Sequence, residues 1–130
     1  MVSVPNSPPV LTGADSTAKI IKEWLVDKEK TRAGMLGVDC ALQIVSLKSF
    51  EHGMTQSEAG AAIGEAVRAS ACGVVLYRVA PEGMRPTFDN AQLGKLAQAC
   101  EAVDVTLLDV LTFTSFAPKG WVSARQQGMI

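Results

Sequence analysis

The chain has a single histidine, His52, in 130 residues. Any site that needs two imidazoles from one subunit is excluded, the common hydrolytic zinc sites among them. A Ser-His-Asp set would have to use that one histidine, and no G-x-S-x-G elbow accompanies it. There is no Walker loop and no G-x-G-x-x-G. Cysteines are few and odd in number, Cys40, Cys72 and Cys100, widely spaced and without a C-x-x-C pair. That spacing fits neither a disulfide scaffold nor a zinc ribbon, so reduced thiols in a cytoplasm, packed as small apolar residues, are expected. Charge of one sign is missing too: 12 basic against 13 acidic residues give a net charge of −1. A protein that neutralises many phosphates is normally basic, which argues against nucleic acid as a partner. No apolar run approaches the roughly 20 residues that span a bilayer. The opening residues have neither a basic n-region nor an apolar h-region, so no signal peptide is expected.

What is present is a chain that is 48% apolar and 19% charged, with mean hydropathy +0.20. This composition belongs to a folded domain, and the length suits one core that needs neither disulfides nor metal. Residues 1–14, rich in Pro and Ser at the start, read as a flexible lead-in to a domain over 15–130. Asp15 or Ser16 can cap a helix whose Ile20, Ile21, Trp24 and Leu25 share a face. Ala33–Val38 and Leu42–Leu47 read as a β-hairpin. Thr55-Gln56-Ser57-Glu58 is a capping box, and the helix it opens carries Ala59, Ala62, Ile63, Ala66 and Val67 on one stripe.

Cys72–Tyr77 and Val105–Phe113 are continuous apolar runs, as expected of central strands covered on both faces. Between them lies a helix with Leu93, Leu96, Ala97, Cys100 and Val103 on one side. Gly120-Trp121-Val122 supplies a short edge strand, with Trp121 as an edge or interface anchor. Strands alternating with helices predict an α/β fold: a single layered domain with a mixed central β-sheet flanked by helices.

In such sheets the usual site lies beyond the carboxyl ends of central strands, against the next helix. That place is the loop from Arg78 to Asp89, the only one dense in functional groups: Tyr77, Arg78, Glu82, Arg85, Thr87 and Asp89. Two arginines near a helix start can hold an anion. The plainer reading has Thr87 or Asp89 capping the helix and the arginines solvated.

The same stretch resembles the RadC-like branch of the JAB/MPN (JAMM) domains. Their core pattern is an apolar strand running into H-N-H-P-S-G, then S-x-x-D opening a helix. Val74-Val75-Leu76-Tyr77 matches the strand and Arg78-Val79-Ala80-Pro81-Glu82-Gly83 fills the next slot, keeping Pro81 and Gly83. Arg78 and Ala80 stand where the family has histidines. Thr87 and Asp89 stand for its serine and aspartate, in a loop two residues shorter. Leu108-Asp109-Val110 is similar to the family's L-D-H, again without the histidine. Ser123-Ala124-Arg125-Gln126-Gln127-Gly128 matches S-x-R-x-x-G, and Leu36-Gly37-Val38-Asp39 is similar to L-x-L-D. The likeness covers residues 15–130.

The resemblance implies a JAB/MPN (cytidine-deaminase-like) architecture. It would also imply a zinc hydrolase, with two histidines and an aspartate on the metal and a glutamate activating water, a place for which Glu51 is the candidate. Arg78 is a permanent cation and Ala80 has no donor atom, so the metal has lost its ligands. The expectation is a non-catalytic domain acting as a binding or structural module, with no cofactor and no metal. The vacated pocket is formed by Arg78, Ala80, Glu82, Arg85, Thr87, Asp89 and Glu51. Arg78 is expected to replace the lost zinc as the counter-charge of Asp89. A homodimer or a protein partner is the expected association. The alternative is a metal-independent enzyme, or an anion- or nucleic-acid-binding module, using the Arg78–Asp89 loop pocket.

Overall fold

The computed structural model describes residues 10–27, 32–50, 56–80 and 90–130. Its elements run α1 (Ala14–Ile21), a π-helical continuation (Lys22–Asp27), β1 (Ala33–Val38), β2 (Ile44–Phe50), α2 (Gln56–Arg68), β3 (Gly73–Val79), α3 (Asn90–Glu101), β4 (Thr106–Phe113) and β5 (Trp121–Ser123). The five strands form one mixed sheet in the order β2-β1-β3-β4-β5. Only β3 and β4 pair in parallel; β1 is antiparallel to both β2 and β3, and β5 to β4. The expected α/β class and mixed sheet are therefore present, and the two long apolar runs are neighbouring inner strands.

Both faces of the sheet are covered, which explains why β1 is buried at every position. On one face Met35, Val74, Leu76, Leu107 and Val110 pack with Ala62, Ile63 and Ala66 of α2 and Leu93 and Cys100 of α3. On the other, Leu36, Val38, Val75, Tyr77, Leu111 and Phe113 pack with Ala18 and Ile21 of α1 and Leu25 of the π-helical turn. Gly34 is required by close packing on that second face. A Cβ there would run into the Lys48 carbonyl oxygen and lie 2.8 Å from the Tyr77 hydroxyl. Tyr77 is fully buried, and its ring stands edge-on to Phe113 at 6.4 Å between centroids.

Two sequence expectations are corrected. The second hairpin strand begins at Ile44, not Leu42, and continues to Phe50. Asp39 is the reason: its Oδ1 accepts from the amides of Ala41 (2.9 Å) and Gln43 (3.0 Å), and Leu42 takes a φ of 62°. These bonds fold residues 39–43 into a turn before pairing resumes. Leu11 is buried in the core, and Val10 forms an isolated bridge with Gln43.

The second correction concerns the thiols. Cys40 and Cys72 are joined by a disulfide, with Cα atoms 5.4 Å apart, and only Cys100 is a free buried thiol. The two residues are 32 positions apart in sequence. Antiparallel pairing of Val38 with Gly73 brings the end of β1 to the start of β3, and the Cys72 amide donates to the Val38 carbonyl at 2.7 Å. That juxtaposition places the sulfurs together. Among the described residues, no helix is long and apolar enough to cross a membrane.

Candidate functional site

The carboxyl ends of β3 and β4 carry the first candidates. Parallel register sets Arg78 opposite Thr112 and Val79 opposite Phe113. Arg78 therefore lies on the α2–α3 face, where its Nε donates to Thr112 Oγ1 at 2.9 Å. Thr112 is wholly buried, so the bond satisfies a hydroxyl that has no access to water. Arg78 is half-buried, and that burial pushes its guanidinium below its ordinary value. Ala80 follows at the strand end, its amide donating to the Phe113 carbonyl at 2.9 Å, which carries the ladder one residue past β3. Glu51, Glu82, Arg85, Thr87 and Asp89 lie outside the described residues, as do His52 and Thr55 of the capping box.

The chemistry of these two strand-end positions does not suit zinc. A guanidinium offers five N–H donors and no lone pair, and an alanine methyl offers nothing. Among the described residues, no three or more His, Cys, Asp or Glu side chains come together as a potential metal site.

A second polar centre sits in the middle of β4. Asp109 is buried there. Its Oδ1 accepts from the amides of Val110 (2.8 Å) and Arg125 (3.0 Å), and its Oδ2 accepts from the Ser123 hydroxyl. Ser123 Oγ in turn accepts from the Gln126 amide at 3.1 Å. Arg125 donates through Nε to the Leu108 carbonyl. The turn after β5 then closes with the Met129 amide on the Ala124 carbonyl at 2.9 Å, helped by Gly128 at a φ of 75°. A bulge in the β3–β4 register, where Val74 faces Leu107 and Val75 faces Asp109, aims the carboxylate at this turn.

These bonds join two segments that the sequence could only match as separate motifs, Leu108-Asp109-Val110 and Ser123–Gly128. Neither Asp109 nor Thr112 was a site candidate on sequence grounds. The available signal was one polar residue at each place in a run that otherwise reads as a buried strand. A cleft of about 470 Å³ opens beside Asp109, Ser123 and Arg125, walled on its other side by Leu11, Thr12 and Leu42. It is on the α1 side, away from Arg78 and Ala80.

Trp121, expected at an edge, lies on the edge strand β5, half-buried, with Lys119 Nζ 5.3 Å from its ring centroid. Cys100 is fully buried, and burial together with the neighbouring Glu101 pushes its thiol up, which leaves it inert rather than nucleophilic.

None of the curated proteins matches the chain. The family model for the RadC-like JAB domain matches residues 11–129, which take in every strand and helix described above. The mixed sheet, the strand that carries Arg78 and the Asp109–Ser123 turn thus lie within one continuous match, and the chain belongs to the RadC-like JAB domain family.

Proposed function

We propose that this domain is a non-catalytic member of its family, a binding or structural module in which the zinc site is lost. The observation that carries the reading is the Arg78–Thr112 bond. The residue that stands for the family's first histidine is a permanent cation, anchored through Nε on a buried hydroxyl of the adjacent strand. Two charges of the same sign in one small space repel, so a cation fixed there opposes a zinc ion as well as failing to bind it. Asp89, the residue that stands for the family's aspartate, is left needing a positive partner, and Arg78 is placed on the strand that leads to it.

The domain would then work through its surface, in a homodimer or with a protein partner, and Trp121 on the edge strand supports that role. A cytoplasmic location belongs to the same proposal, and there the Cys40–Cys72 pair would meet a thiol-reducing compartment.

The test restores the missing ligands. Zinc titration of the double variant Arg78→His with Ala80→His is expected to show one tight site per chain, with no such site in the unchanged protein. Equal zinc binding by the unchanged protein, abolished by Asp89→Ala, would overturn the proposal.

A further inference from the structure

The disulfide lies at the root of the turn that walls the cleft. Cys40 is exposed in the β1–β2 turn, and Cys72 is half-buried directly before β3. Two residues past Cys40, the Leu42 carbonyl accepts the Leu11 amide at 2.9 Å, and Gln43 bridges Val10. Leu11 and Leu42 are both wall residues of the cleft that holds Asp109 and Arg125 on its far side. The chain entering α1 is thus tied to the β1–β2 turn, and that turn is tied covalently to the sheet at Cys72.

We propose that Cys40–Cys72 is a redox-sensitive clasp: its reduction by a dithiol releases the β1–β2 turn and loosens the Leu11 wall of the cleft. The chemistry is thiol–disulfide exchange. A thiolate of the reductant attacks the sulfur of Cys40, the more exposed of the two residues, the Cys40–Cys72 bond breaks, and Cys72 leaves as a thiolate that takes up a proton. The second thiol of the reductant then displaces Cys40 from the mixed disulfide. Two electrons and two protons pass to the protein, which ends with two thiols, and the reductant ends as a cyclic disulfide. Cys100 takes no part, being buried on the α2–α3 face with its thiol pushed up.

Without the bond the turn is held by hydrogen bonds. Among the described residues these are the two amides on Asp39 Oδ1, the Asp39 amide on the Gln43 carbonyl and the Leu42 amide on the Asp39 carbonyl, both at 3.0 Å, and the Leu11 amide on the Leu42 carbonyl. Opening there becomes local, whereas the inner strands still open only with the whole fold. The distinction can be measured, because local opening exposes little surface and barely responds to denaturant.

The experiment is native-state amide hydrogen exchange on the full chain, oxidised and then reduced with dithiothreitol. On reduction the Leu11 and Gln43 amides are expected to exchange at least tenfold faster, with rates insensitive to low denaturant, while β3 amides keep a steep denaturant dependence. The variant Cys40→Ser with Cys72→Ser should match the reduced protein without any reductant, and Cys100→Ser should match the oxidised one. An unchanged Leu11 rate would overturn the proposal. So would a Leu11 rate that rises only in step with β3 and with the same denaturant dependence, because the bond would then be a global staple. Three free thiols per chain in the air-oxidised native protein would refute the clasp outright.

Discussion

Replacing Asp109 tests whether the turn after β5 is held by the strand beside it. Asp109→Ala removes the acceptor for two backbone amides and one hydroxyl. The Ser123 hydroxyl is buried, so it has no water to turn to. A buried polar group left without a partner costs about 1–3 kcal/mol. The Arg125 amide belongs to an exposed residue and recovers part of its loss from solvent. The expected total is about 3–5 kcal/mol, a large share of the roughly 5–15 kcal/mol that holds a domain folded. Asp109→Asn keeps a carbonyl for the two amides but turns an N–H donor toward Ser123, so about 1–2 kcal/mol is expected.

Ser123→Ala removes the third partner, and its effect should combine with Asp109→Ala less than additively, by about 0.5–3 kcal/mol. Urea melts of the unchanged protein, the three single variants and the double variant provide all of these values. An Asp109→Ala cost below about 1 kcal/mol, or strict additivity with Ser123→Ala, would refute the reasoning. The turn would then stand on its own backbone bonds.

Other perturbations probe the sheet and the strand ends. Gly34→Ala drives a methyl into the Lys48 carbonyl oxygen, a backbone atom that cannot swing aside. A loss of about 1–3 kcal/mol or more is expected in a denaturant melt, with a neutral result contradicting the close approach. Thr112→Val keeps the side-chain shape and removes the acceptor of Arg78 Nε. Together with Arg78→Ala it should show a coupling of about 0.5–1.5 kcal/mol, against zero if the bond contributes nothing. If Arg78 is also the counter-charge of Asp89, the cycle Arg78→Ala with Asp89→Ala should couple by about 0.5–3 kcal/mol, and additive effects would show the two apart.

The sequence displays much of this fold because its periodicities are clean. The unbroken runs over 72–77 and 105–113 read as strands covered on both faces, and they are the parallel inner pair. Of the stripe Ala59, Ala62, Ile63, Ala66 and Val67, the first four are buried and set the face of α2, whereas Val67 is exposed. What stayed hidden depends on pairing between distant segments. The disulfide needs β1 beside β3 before Cys40 and Cys72 can meet, and no local pattern shows that pairing. The start of β2 is displaced by side-chain bonds from one residue, Asp39. Arg78 stood out as a charged residue ending an apolar strand, but its partner Thr112 follows from a register shifted by a bulge at Leu108. Asp109 was visible only as part of a motif; its tie to Ser123 requires β5 to lie against β4.

The proposal that the family's zinc site is lost meets its most direct test in elemental analysis of the purified, exhaustively dialysed chain. If Arg78 and Ala80 stand in place of the two histidines, no stoichiometric zinc is expected, and a strong chelator should leave the melting temperature unchanged. About one zinc per chain, retained through dialysis and lost together with thermal stability on chelation, would contradict it.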